Sequence, residues 1–69
     1  MDSYRVVKAL SAKSGVKMSE IAAACGVSLN SINRSLHGGI SLDKFIKVVR
    51  ACGGEVRITY QGKDIGIWR

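Results

Sequence analysis

MSEIAAACGVSLNSINRSL, residues 18–36, decides how the chain must fold. It reads as two short helices joined by a tight corner. Ile21 and Ala22 give the first helix an apolar face, with small Ala22 and Ala23 allowing a close neighbour. Gly26 marks the corner, because a residue without Cβ takes a positive φ at little steric cost. Val27 follows as an inward-pointing residue. Ser28 is placed to cap the second helix by accepting a hydrogen bond from an otherwise unpaired N–H of its first turn. Ile32 and Leu36 recur at i+4 and form one apolar edge. Leu29, Asn30, Asn33 and Arg34 are expected on the other face, projecting away from Ile32 and Leu36.

That second face is short, mostly polar and free of acid, as a helix lying in a DNA major groove must be. Arg34 can hold guanine through two hydrogen bonds, Asn30 or Asn33 can do the same for adenine, and Leu29 can touch a thymine methyl. The pattern Ile21-Ala22, Gly26-Val27-Ser28, Ile32 and Gly38 resembles the helix-turn-helix of the lambda-repressor-like family, which includes Cro and C1-type phage repressors. The resemblance runs over residues 18–53, about half the chain. It implies a mainly α, lambda-repressor-like bundle of about four helices and a sequence-specific DNA-binding role. Members often carry Gln where Met18 stands here, and Met cannot brace backbone or base as Gln does.

Working outward, Asp2 or Ser3 can cap a first helix running to about Ser14. Val6, Val7 and Leu10 share its apolar side, Tyr4 lies at the edge, and Arg5, Lys8 and Lys13 fall largely elsewhere. Gly15 ends it, and Val16 is expected to pack inward. After Leu36, Gly38 and Gly39 open a loop. Ser41 then caps a fourth helix, with Asp43 near the positive end of the helix dipole. Leu42, Phe45, Val48, Val49 and Cys52 make its apolar stripe, and Lys44, Lys47 and Arg50 a basic one. Lys17, Ser28, Ser31, His37, Gly38, Ser41 and Lys44 lie at helix starts or in the loop beside the second helix of the motif. They are candidates for DNA-backbone contact; capping and solvation are the alternatives.

From residue 55 the pattern changes. Val56, Ile58 and Tyr60 alternate with Arg57 and Thr59, the period of a strand. Gln61-Gly62-Lys63 signals a turn beside Asp64, and Ile65, Ile67 and Trp68 suggest a return strand. The organisation expected is a helical DNA-binding part, 1–54, and a C-terminal β-hairpin, 55–69, of the same domain. A lone hairpin is marginal in water, so it must pack on the helices or against another chain. Val56, Ile58, Tyr60, Ile65, Ile67 and Trp68 are the candidate homodimer interface.

Sixty-nine residues make one small domain, which buries only roughly 60% of its unfolded surface. Apolar residues form 46% of the chain, too many for a disordered tail. No apolar run reaches the roughly 18 residues of a membrane span, and no secretory leader is read at the start, so a cytoplasmic protein of a bacterial or phage-infected cell is expected. Eleven basic against five acidic residues give +6, and no acid lies between Glu20 and Asp43; both favour a polyanionic partner. Cys25 and Cys52 with one His fall short of a zinc site, and no triad or phosphate-binding glycine loop suggests an enzyme or a cofactor. The function expected is a homodimeric transcriptional repressor of phage or mobile-element type, bound to a palindromic double-stranded operator. The rival is an antitoxin-like or inhibitor module that binds a protein partner. Four aromatic residues without basic interleaving argue against a single-stranded RNA platform.

Overall fold

The side chain of Asp2 starts the first helix by accepting a hydrogen bond from the Tyr4 N–H at 3.0 Å. In the computed structural model, which describes residues 2–68, α1 spans Ser3–Ser14. It ends at Gly15, whose N–H donates to the Ser11 carbonyl at 2.9 Å. The Ser11 hydroxyl donates to the Val16 carbonyl, drawing the connecting loop onto α1 and leaving Val16 half-buried. The next helix, α2 (Met18–Ala24), starts where the Glu20 carboxylate accepts from the Lys17 N–H at 3.1 Å. At the corner, Gly26 takes φ 72°, and the Val27 N–H reaches back to the Ala22 carbonyl. Third and fourth come α3 (Leu29–Gly38) and α4 (Leu42–Ala51), capped by Ser28 and Ser41, whose hydroxyls accept from the N–H groups of Ser31 and Lys44. A cap of this kind stabilises a helix by about 1 kcal/mol.

The helices bury one core. Val7 and Ile21 are fully enclosed, and Ala22, Ile32, Leu36, Val48 and Cys52 complete the cluster. Met18 packs on its edge, which is why an apolar residue starts α2. Two expectations from the sequence are corrected. Val27 is 38% exposed, because the turn after Gly26 carries its side chain to the rim of a pocket. On α4 the apolar stripe is shifted: Leu42 is 50% exposed in the first turn, while Ile46 is buried. Burial pushes the Cys52 thiol pKa above its ordinary value, a hydrogen bond with the Ser14 side chain pulls it back in part, and Cys25 nearby raises it.

After α4, Gly54 passes close under the helix. A Cβ there would lie 2.9 Å from Val49 Cγ1 and 3.3 Å from the Val49 carbonyl oxygen, so only glycine fits without a shift. The chain then forms an antiparallel hairpin, β1 (Val56–Tyr60) and β2 (Lys63–Trp68). Lys63 and Asp64 belong to β2 rather than to the turn, which contains only Gln61 and Gly62. Both take positive φ, 50° and 81°, as a two-residue turn matched to strand twist requires. A bulge interrupts the ladder: Ile58 faces Gly66 and Thr59 faces Asp64, so Ile65 has no partner. Trp68 folds back over Gly66. No residue of the hairpin joins the buried core cluster among the described residues, and the molecule is drawn out to 37 × 24 × 19 Å. Arg69, part of the segment expected to dimerise, and Met1, part of the helical segment, lie outside the described residues.

Candidate nucleic-acid interface

α3 positions the candidate base-reading residues. Ile32 and Leu36 are 4% and 2% exposed and anchor one edge in the core. Two positions along an α-helix turn about 200°, so Asn30 and Arg34 lie opposite that anchor, and both are exposed. Ser31 is exposed beside them, and Leu29 is 42% exposed at the first turn. Asn33 departs from the expected arrangement. It sits only about 100° from Ile32, is half-buried, and has its Oδ1 enclosed with no hydrogen-bond partner. Its neighbour one turn on, His37, stacks on Tyr4 of α1 with ring centroids 4.1 Å apart. The side of α3 carrying Asn33 and His37 is therefore the side that packs on α1, and the outward face is Asn30, Ser31 and Arg34. Ser31 and Asn33 each lie one residue from the buried Ile32, so spacing from Ile32 does not separate them; the packing of α1 on the His37 side covers Asn33 and leaves Ser31 exposed.

The candidate backbone contacts ring this face. Lys17, Ser28, Ser31, His37, Gly38, Ser41 and Lys44 are all exposed. Ser28 and Ser41 also have their hydroxyls engaged as caps, so capping and backbone contact are compatible roles for them. His37 is exposed at one edge while its ring rests on Tyr4, and the Lys8 ammonium lies 5.9 Å from the centre of the same tyrosine ring. On the opposite edge, between the α2–α3 corner and α4, a pocket of about 90 Å³ opens. Val27, Ile32 and Val48 line its apolar part, and Ser31, Ser35, Lys44 and Lys47 its polar part. Ser35 and Lys47 are not among the backbone-contact candidates read from the sequence, although Lys47 stands in the basic stripe of α4. Their signal was present: Ser35 follows Ser31 by four and Lys47 follows Lys44 by three, so each shares a helical face with one of those candidates.

Most of the net charge lies on the helical segment, +5 of the +6. Residues 1–54 hold eight of the eleven basic residues and three of the five acidic ones. On the hairpin, Arg57 pairs with Glu55 at 2.8 Å and with Asp64 at 3.6 Å, so that end is close to neutral. Exposed pairs like these add little stability, but they leave the net positive field to the helical end. Among the described residues, no group of three or more His, Cys, Asp or Glu could hold a metal ion, and no helix is long and apolar enough to cross a membrane. Of the candidate dimer residues, Val56 and Trp68 are half-buried, whereas Ile58, Tyr60, Ile65 and Ile67 are 38%, 64%, 67% and 40% exposed. No family model, no curated protein and no solved structure matches this chain.

Proposed function

We propose that this chain is a sequence-specific double-stranded DNA-binding transcriptional regulator of lambda-repressor-like helix-turn-helix type, acting as a homodimeric repressor. The observation that carries the reading is α3. It is anchored by Ile32 and Leu36 and turns Asn30, Ser31 and Arg34 outward, on a surface with no acid between Glu20 and Asp43. Asn and Arg in that position match the donor and acceptor patterns of adenine and guanine in the major groove. Lys17 and Lys44 flank them at helix starts, where phosphates approach. Two copies would set two α3 helices about 34 Å apart, one duplex turn, and repression would follow from blocking polymerase at the site.

The deciding experiment is selection of bound duplexes from a random pool with the full chain. A palindromic consensus with two half-sites about ten base pairs apart is the outcome this function requires. Retention of all sequences alike would reduce the protein to a non-specific polyanion binder. Ile65, the most exposed large apolar residue among the described ones, supports a second reading, in which the hairpin engages a protein partner as antitoxin-like modules do. Under that reading DNA binding serves autoregulation, and the same selection would still yield a site.

A further inference from the structure

We infer that the homodimer forms through the outer edge of β1, antiparallel to β1 of a second copy, with Ile58 on the two-fold axis. This deepens the homodimer of the proposed function by assigning its edge and register, and it separates Ile65 and Ile67 from the interface.

The two-residue turn makes Tyr60 and Lys63 the pair that exchanges both hydrogen bonds. In an antiparallel ladder these pairs alternate, so Ile58 and Val56 also turn their N–H and C=O groups toward β2. Arg57 and Thr59 turn theirs outward, to the free edge. β1 runs without interruption, so its outward residues keep a spacing of two. β2 does not keep it. The bulge at Ile65 separates its outward residues, Asp64 and Ile67, by three, and a straight partner strand cannot meet both. Arg57 puts a charge on β1 as Asp64 does on β2, so the bulge is what tells the two edges apart, and a bulge is one device by which an edge is closed to pairing. β1 is the edge left open.

The register follows from the side chains. Outward residues must meet outward residues, which leaves three arrangements. An axis at Arg57 would oppose two guanidiniums directly, and like charges opposite one another are destabilising. An axis at Thr59 would set Arg57 against Gln61 of the turn, so the ladder loses that pair. An axis at Ile58 joins Arg57 to Thr59 of the second copy and Thr59 to its Arg57, engaging all four outward backbone groups of each copy. It also places Ile58 against Ile58 and Val56 against Tyr60 as close, non-hydrogen-bonded pairs, β-branched beside aromatic. The apolar surface that Ile58 and Tyr60 expose is on this same face. A second copy of this chain is therefore the occupant that fits both the backbone groups and the side chains.

Single cysteines introduced by Ile58→Cys, Thr59→Cys and Ile67→Cys test it under mild oxidation, with the parent chain and its two native thiols as control. Ile58→Cys should form a covalent dimer of twice the 7.4 kDa chain mass. Thr59→Cys should not, because an Ile58 axis puts the two Thr59 Cα atoms beyond the roughly 7 Å limit for a disulfide. Ile67→Cys should not, because β2 of each copy lies at the far edge of the four-stranded sheet. Cross-linking at Thr59 or Ile67 in preference to Ile58 overturns the register or the edge. A parent chain that sediments as a monomer at high concentration overturns the interface altogether. Selection of a palindromic duplex with cross-linking only at Ile67 would keep the DNA-binding function and discard this interface. Cross-linking at Ile58 without any selected sequence would do the reverse.

Discussion

At the scale of single residues, Arg34 carries the sharpest expectation. It lies opposite the buried edge of α3 and is exposed. Arg34→Ala should cost about 1–3 kcal/mol of specific binding and relax preference at one base pair. Measuring affinity across single-base variants of the selected site checks it, and an equal loss on every sequence would make Arg34 a phosphate contact. Gly54 carries the clearest stability expectation. A methyl group there meets Val49 side chain and backbone at 2.9 and 3.3 Å, and the backbone cannot swing away as a long side chain would. Gly54→Ala should destabilise the domain by about 1–3 kcal/mol, the usual cost of overpacking, read as a lowered Tm with unchanged helical circular dichroism at low temperature.

At the scale of elements, each helix start has a local reason: Asp2, Ser28 and Ser41 side chains accept from the first turns of α1, α3 and α4, and the Glu20 carboxylate accepts from the Lys17 N–H ahead of α2. The same helix starts hold the cations that would position a duplex. Lys17 precedes α2, and Lys44 lies in the first turn of α4, both exposed. Lys17→Ala and Lys44→Ala should each weaken binding on all sequences and flatten the dependence of log affinity on log salt by roughly one unit. Titrations at several salt concentrations measure that slope, and an unchanged slope removes the residue from the phosphate contacts. The salt series also separates these lysines from Arg34, whose loss should fall on one base pair.

At the scale of the whole molecule, the helices and the hairpin divide the work of stability. The core cluster is built from α1–α4 and the chain joining them, and takes no described residue of β1 or β2. Truncation after Gly54 should therefore leave a helical, cooperatively melting monomer, observed by circular dichroism and sedimentation together, that binds a palindromic site weakly. An unfolded truncation would show that Val56 and Trp68, both half-buried, complete the fold rather than extend it. The elongated shape has the same origin, with one end basic and helical and the other near-neutral and exposing Ile58, Tyr60, Ile65 and Ile67.

The helix starts and the corners between helices are legible in the sequence, whereas two bounds are not: α3 runs on through Gly38, read as loop, and β2 begins at Lys63, read as turn. Caps, glycines and apolar spacing are local signals, and Asp2, Gly15, Gly26, Ser28 and Ser41 each act within a few residues of themselves. The sequence by itself also determined the hairpin and the outward placement of Asn30 and Arg34, because both follow from a short-range period. Tertiary structure decided what depends on a neighbour in space. Asn33 is half-buried because α1 packs beside it, with Tyr4 stacked on His37 one turn away. Val27 is carried outward by the corner, and Ile46 replaces Leu42 in the buried set, because burial depends on how helices cross and not only on spacing along one of them. The bulge at Ile65 is of the same kind. Nothing in Lys63-Asp64-Ile65-Gly66 announces it; the pairing of β2 with β1 sets which residue is left over, and so which edge of the hairpin stays open.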